Sequence, residues 1–216
     1  MFTGIIETSG SIVSTRREGT STVLFIEPDQ KQFEVAIGGS VAIDGICLTL
    51  ESRSGSRMRF SAVAETLRKT TLGAVRSGRR VNLERAVPVN GRLDGHFVYG
   101  HVDGLGTIQS DREMNGSLLR TITIPAELTR FMARGGSVAV DGISLTIAQC
   151  DATTITISFI PHTLGATTMA QKQPGDHVNI ECDIVARYLY RLLGGDASTG
   201  TPAANPLQTL MERVGF

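Results

Sequence analysis

Residues 38–49 read GGSVAIDGICLT, and residues 135–146 read GGSVAVDGISLT, 97 positions further on. The echo extends in both directions. Thr66-Leu67 followed by Thr70-Thr71 returns as Thr163-Leu164 followed by Thr167-Thr168, and Val81-Asn82-Leu83-Glu84 returns as Val178-Asn179-Ile180-Glu181. Upstream, Gly4-Ile5-Ile6-Glu7 aligns with Gly100-His101-Val102-Asp103 after one residue of slippage. Solenoid units run to roughly 20–50 residues, so a repeat of this period is a duplicated domain. A duplicated domain carries two similar pockets. The informative difference inside the strongest echo is Cys47 against Ser144, a polarizable thiol and a small hydroxyl at equivalent places. Alternation alone reads both as small, half-buried strand residues.

Outward from these motifs, short runs rich in Val, Ile, Thr and Phe recur between Gly, Asp and Asn signals: 22–26, 40–43, 48–51, 58–62, 118–124 and 154–160. Evenly spaced short strands of this kind predict an all-β barrel or sandwich in each repeat. Asp44-Gly45 and Asp141-Gly142, each flanked by apolar residues, are tight-turn signals. One short helix is expected over 125–133, with a counterpart near 28–35.

After the second repeat the period changes. Ile184, Val185, Tyr188, Leu189, Leu192 and Leu193 mark one face of a helix over 184–193. Asp183 stands where an N-cap belongs, and Gly194-Gly195 closes the helix. With both barrels already complete, this stripe is expected to pack against copies of itself. Residues 196–206 read as a flexible tail and 206–216 as a final short helix.

Composition bounds the function. Of 216 residues, 41% are hydrophobic and 19% charged, as in an ordered globular chain. The 21 basic and 21 acidic residues cancel, which argues against a nucleic-acid surface. Arg76, Arg79, Arg80 and Arg85 flank a turn and read as a solvated face. Cys47, Cys150 and Cys182 are too widely spaced for a metal site or disulfide framework, which suits a reducing compartment. With neither a signal-peptide pattern nor a membrane-length apolar run, a cytoplasmic chain without membrane contact is expected. His96 and His101, five apart on a hinge without a third ligand, fall short of a metal site.

MFTGIIE at the start, the doubled DGI(C/S)LT, the segment Glu65-Thr66-Leu67-Arg68 and the hinge GHFVYGHVDG over 95–104 together resemble the riboflavin synthase family. The resemblance covers residues 1 to about 193. It implies two tandem six-stranded Greek-key β-barrels related by the internal repeat, over 1–96 and 97–183, a trimerisation helix over 184–193 and a tail over 194–216. It implies dismutation of two 6,7-dimethyl-8-ribityllumazine molecules to riboflavin and 5-amino-6-ribitylaminouracil, with no metal or cofactor. The site would lie between the N-barrel of one subunit and the C-barrel of the next in a homotrimer. The lumazine synthase of the same pathway is a candidate partner. The chemistry is mainly one of positioning two flat rings. It also needs a proton taken from the C7 methyl group of one lumazine and a nucleophile added at C7 of the other.

Carried over by position, the resemblance places Cys47 near the reacting carbon, with Leu48 and Thr49 as pocket wall. Ser40 would hydrogen-bond a ring or bound water. His101 would act in the site with His96 supporting it, histidine being readily tuned for proton transfer. Gly4, Ile5, Ile6, Gly100 and Val102 resemble lining residues, with Phe2 and Thr3 expected to reach a neighbouring subunit. Ser61, Ala62, Val63, Ala64, Glu65 and Thr66 form a second wall. In the second repeat Ser144, Leu145, Thr146, Phe159, Ile160, Pro161, His162, Thr163 and Leu164 take the equivalent places, with Ser144 and Thr146 in the catalytic set. Asp183 would support the site across the interface. Gly135 stands where the family commonly has lysine, with Arg134 beside it on the opposite face. The rival reading is a lumazine or flavin carrier without turnover.

Overall fold

The computed structural model describes residues 1–195. The first repeat contains β1 (Thr8–Glu18), β2 (Ser21–Pro28), β3 (Ser40–Ile43), β4 (Ile46–Thr49), β5 (Ser52–Ser54), β6 (Arg57–Ala62), α1 (Ala64–Lys69) and β7 (Arg80–Arg85). The second contains β8 (Gly104–Met114), β9 (Ser117–Thr123), α2 (Ala126–Thr129), β10 (Ser137–Val140), β11 (Ile143–Cys150), β12 (Thr154–Phe159), α3 (Pro161–Ala166) and β13 (His177–Cys182). Helix α4 (Ile184–Leu192) follows.

The second repeat is a closed six-stranded barrel in the order β10-β11-β12-β9-β8-β13. The first is a seven-stranded sheet in the order β4-β3-β7-β1-β2-β6-β5, which curls until β4 and β6 touch without a continuous ladder between them and so forms the first barrel. The extra strand arises at one residue. In β11 the register shifts between Ile147, paired with Ile157, and Gln149, paired with Thr156, so the bulge falls at Ala148 and β11 stays continuous. At the equivalent Leu50 the amide meets the Gly39 carbonyl (2.9 Å) just as the Ile147 amide meets Gly136, but Leu50 has no partner in the ladder, which resumes only at Ser52 opposite Arg59. One strand is thereby split into β4 and β5, the bend such a bulge produces.

The turns follow the sequence signals. Asp44-Gly45 (φ 47° and 76°) and Asp141-Gly142 (φ 45° and 81°) each join paired strands through two residues. Positive φ at both central residues is what a type I′ loop requires. Each barrel encloses its own apolar cluster, including Ile12, Leu24, Phe60 and Leu83 in the first and Ile108, Ile122, Phe159 and Ile180 in the second.

Two expected helices are reduced. The segment after Pro28 forms turns anchored by buried Phe33, and 125–133 forms the single turn α2 followed by irregular turns. Helix α4 matches its signals. Asp183 accepts the Val185 N–H (2.9 Å), and Gly194 (φ 81°) closes the end with Gly194 N–H on Arg191 O and Gly195 N–H on Tyr190 O. Those two bonds make a Schellman motif. One side of α4 docks on its own barrel, Tyr190 meeting Phe131 edge-on at 5.3 Å and Arg187 lying over the same ring. The opposite stripe, Val185, Tyr188, Leu189, Leu192 and Leu193, is exposed. The segment 206–216 read as a final helix, and the tail after Gly195, lie outside the described residues.

The barrels meet around an approximate twofold. Phe2 and Val98 pair in an antiparallel bridge and are buried with Ala42 and Ala139. Phe2 therefore packs within its own chain rather than reaching a neighbour. Asn82 Nδ2 donates to the Asp141 carbonyl (3.0 Å), and Asn179 Nδ2 donates to the Asp44 carbonyl (2.8 Å). Their Oδ1 atoms accept from Thr168 N–H and Thr71 N–H, both at 2.8 Å. The doubled Val-Asn-(Leu/Ile)-Glu motif thus carries the asparagines that join the barrels.

Candidate active site

The two repeats exchange arms. The segment before β1 crosses to the second barrel, where the Gly4 carbonyl accepts Ser144 N–H at 2.8 Å. The segment before β8 crosses to the first, where the Gly100 carbonyl accepts Cys47 N–H at 2.9 Å. Glycine is required at both contacts. The φ values are 78° and 76°, and an added Cβ would lie 2.6 Å from Ser144 Cβ or 2.5 Å from Cys47 Cβ. Beyond each contact Val102 packs on the first core and Ile6 on the second. Cys47 and Ser144 therefore occupy equivalent seats, as the repeat predicts.

On the first barrel, Ser40 faces Thr49 and Ala42 faces Cys47 across β3 and β4. Cys47 is a half-buried free thiol and Thr49 is exposed, whereas Leu48 points into the core. Ser61 is half-buried and Ala62 lies in the core, so β6 presents alternate residues outward. Val63, Ala64 and Glu65 at the start of α1 are exposed, with Thr66 half-buried. Hydrogen bonds from Arg68 and then Lys69 hold the Glu65 carboxyl down at about 2.

On the second barrel, Ser144 Oγ lies 2.7 Å from His96 Nδ1. Burial lowers the pKa of His96, with Asp183 acting weakly the other way. His96 Nε2 is buried without a hydrogen-bond partner among the described residues. Leu145 and Leu164 flank the core and Thr146 is exposed opposite Ser137. Phe159 is in the core, while Ile160, Pro161 and His162 are exposed and Thr163 is half-buried. Gly135 (φ 80°) mirrors Gly38 (φ 85°), and each donates its N–H to the carbonyl of the equivalent strand residue, Ile147 or Leu50, at 2.8 Å. A left-handed turn accounts for glycine at this place. Arg134 lines a separate hollow with Gln149, Cys150 and Asp151.

Two cavities are repeat images of each other. One of about 640 Å³ is lined by Thr3, Ile5, Ser40, Glu84 and Arg85 among others. Its counterpart, about 330 Å³, is lined by Tyr99, His101, Glu181, Cys182, Arg187 and Tyr188 among others. Ser40 and His101 thus open into different cavities of one chain, and Cys47 lines neither. Glu84 and Glu181, which line these cavities at equivalent places, receive no role from the sequence reading. Glu84 accepts Thr3 N–H, Thr3 Oγ1–H and Gly4 N–H, while Glu181 accepts Tyr99, Gly100 and His101 N–H. Their repetition in Val-Asn-(Leu/Ile)-Glu was the available signal. Among the described residues no cluster of three or more His, Cys, Asp or Glu is arranged to hold a metal ion, and no helix is long and apolar enough to cross a membrane.

Comparison with known proteins matches the geometry. The lumazine binding domain family model matches twice, over residues 3–86 and 99–183. Riboflavin synthase of Bacillus subtilis (strain 168) is 41% identical over 193 residues, covering 89% of this chain and 90% of that protein. Riboflavin synthase of Actinobacillus pleuropneumoniae is 39% identical over 216 residues, covering 100% of both chains. A crystal structure of LumP complexed with riboflavin superposes with a TM-score of 0.78 at 25% identity, over 84% of this chain and 99% of that one. Two lumazine-binding domains whose arms seat Gly4 on Ser144 and Gly100 on Cys47, matched along both full chains by the Actinobacillus enzyme, place this chain in the riboflavin synthase family.

Proposed function

We propose that the chain dismutates two 6,7-dimethyl-8-ribityllumazine molecules, one giving a four-carbon unit to the other, to form riboflavin and 5-amino-6-ribitylaminouracil. The observation that carries this reading is the pair of equivalent seats with different side chains, Cys47 in one and Ser144 in the other. Two seats of one design hold two copies of one substrate, and an approximate twofold turns them in opposite directions. Holding them face to face makes a bimolecular step effectively unimolecular.

Cys47, Ser40, His101, His96, Ser144, Thr146 and Asp183 are assigned to the reacting site. Burial favours the neutral form of His96, and its Nδ1 lies 2.7 Å from Ser144 Oγ, which fixes the ring against the second seat. Because Ser40, His101 and Cys47 do not share one cavity within a chain, the site is completed by a second copy in a homotrimer. The exposed stripe of α4 supports assembly, and exposed Val63 and Ile160, equivalent in the two repeats, supply apolar surface beside the seats. Three free cysteines suit a cytoplasmic location.

A carrier that binds without turnover is the second reading, favoured by the likeness to riboflavin-bound LumP. Incubation with 6,7-dimethyl-8-ribityllumazine alone, followed by absorbance, separates the two. Steady formation of one riboflavin for every two lumazines consumed is expected. Tight binding with no product would give the carrier.

A further inference from the structure

We propose that Glu181 of β13, Asp103 before β8 and Arg187 of α4 act as positioning residues, setting the His101 segment against the Cys47 seat. This rests on the role proposed above for His101. Glu181 is 6% exposed, and its carboxylate collects three consecutive backbone donors: Tyr99 N–H at 2.6 Å, Gly100 N–H at 2.9 Å and His101 N–H at 3.0 Å. The carbonyl of Gly100 then accepts Cys47 N–H at 2.9 Å. A single peptide unit therefore lies between the buried carboxylate and the Cys47 backbone. Charge-assisted hydrogen bonds of this kind are short and directional, so the arm has little freedom to shift.

The first repeat contains the same device with a different cargo. Glu84 clamps Thr3 and Gly4, but the residue after Gly4 is Ile5, which titrates nothing. At the position after the clamped glycine, only the Glu181 arm carries an acid–base side chain. The outer part of the clamp differs as well. In the first repeat Glu7 accepts Arg85 N–H at 2.6 Å, and the guanidinium of the same Arg85 pairs with it. In the second, Asp103 accepts Cys182 N–H at 2.8 Å, and Cys182 has no cation to offer. Arg187 of α4 fills the role, pairing with Asp103 while its guanidinium lies over the Phe131 ring at 5.0 Å. The helix whose other face carries the exposed apolar stripe thus also supplies the charge behind His101.

A purely architectural Glu181 would tie the barrels together without acting through His101. The test is steady-state kinetics of full-chain Glu181→Gln, Arg187→Gln, His101→Gln and the double variant Glu181→Gln/His101→Gln on 6,7-dimethyl-8-ribityllumazine. Glu84→Gln, alone and combined with His101→Gln, serves as the internal comparison. Misplacing a reacting group by about 1 Å costs on the order of 100-fold, so Glu181→Gln and Arg187→Gln are expected to lower kcat about 10- to 100-fold with little change in KM. On the His101→Gln background Glu181→Gln should add less than about twofold, whereas Glu84→Gln should keep its full effect. Full additivity of Glu181→Gln with His101→Gln overturns the proposal. So does undiminished kcat in Arg187→Gln while His101→Gln is impaired, and this variant decides the matter if Glu181→Gln fails to fold. Undiminished turnover in His101→Gln would instead remove the reading of His101 and this proposal with it.

Discussion

Cys47 and Ser144 hang from the same backbone contact, so a change between them alters the side chain and leaves the seat. Cys47→Ser copies the second seat into the first. Turnover is expected to fall by an order of magnitude or more while lumazine affinity stays within about threefold, since general acid–base and positioning contributions run to about 10²-fold or more. Single-turnover kinetics and fluorescence titration measure the two effects separately, and unchanged values in both would remove Cys47 from the chemistry. Glu181 gives a second prediction. Burial pushes its carboxyl from 4.5 up to about 6, against the pull of the Tyr99 N–H and with some help from Asp103. The folded chain therefore binds this proton more tightly than the unfolded chain. Stability owed to this group is largest below about pH 4.5 and declines as pH rises towards about 6, by about 2 kcal/mol in total. Burial raises Asp44 in the same direction, so the contrast with Glu181→Gln is needed to isolate one group. Urea unfolding of both proteins across that range should show a shallower decline in the variant. Parallel pH dependences would exclude the shift.

At the scale of elements, local signals were readable where a few neighbouring residues decide the backbone. Asp-Gly predicted both tight turns, alternation predicted the strands, and Asp183 with Gly194 bracketed α4. The split of β4 from β5 was not readable, because it turns on whether Leu50 keeps a cross-strand partner rather than on its own propensity. The expected helix near 28–35 failed because its apolar anchor Phe33 is buried by tertiary packing in a turn. Helix α4 has one docked side and one exposed stripe, so its removal should affect assembly more than folding. Truncation before Ile184 is expected to give monomers that bind lumazine and turn it over poorly. Sedimentation analysis checks this, and a trimer surviving truncation would contradict the role given to the stripe.

At the scale of the molecule the barrels approach closely enough to exclude side chains. An alanine Cβ at Gly45 would lie 2.6 Å from the Gly142 amide nitrogen, at φ 76°. Gly19 also has positive φ (62°), but nothing lies within 4 Å of its added Cβ. Gly19→Ala should cost only the backbone strain, about 1–2 kcal/mol, and Gly45→Ala about twice that or more because the clash is with backbone of the other barrel. Calorimetry of the two variants checks the order. Equal losses would mean the barrels can separate without penalty. The duplication, the β class, the paired Cys47 and Ser144 and the cap of α4 were determined by sequence alone, since each is written in adjacent residues or in a fixed offset. The exchange of arms, the asparagines that join the barrels and the Glu84 and Glu181 clamps were decided only by tertiary structure. A carboxylate whose donors lie 81 residues away leaves no local period to read, and its partners become visible only when the chain has closed on itself.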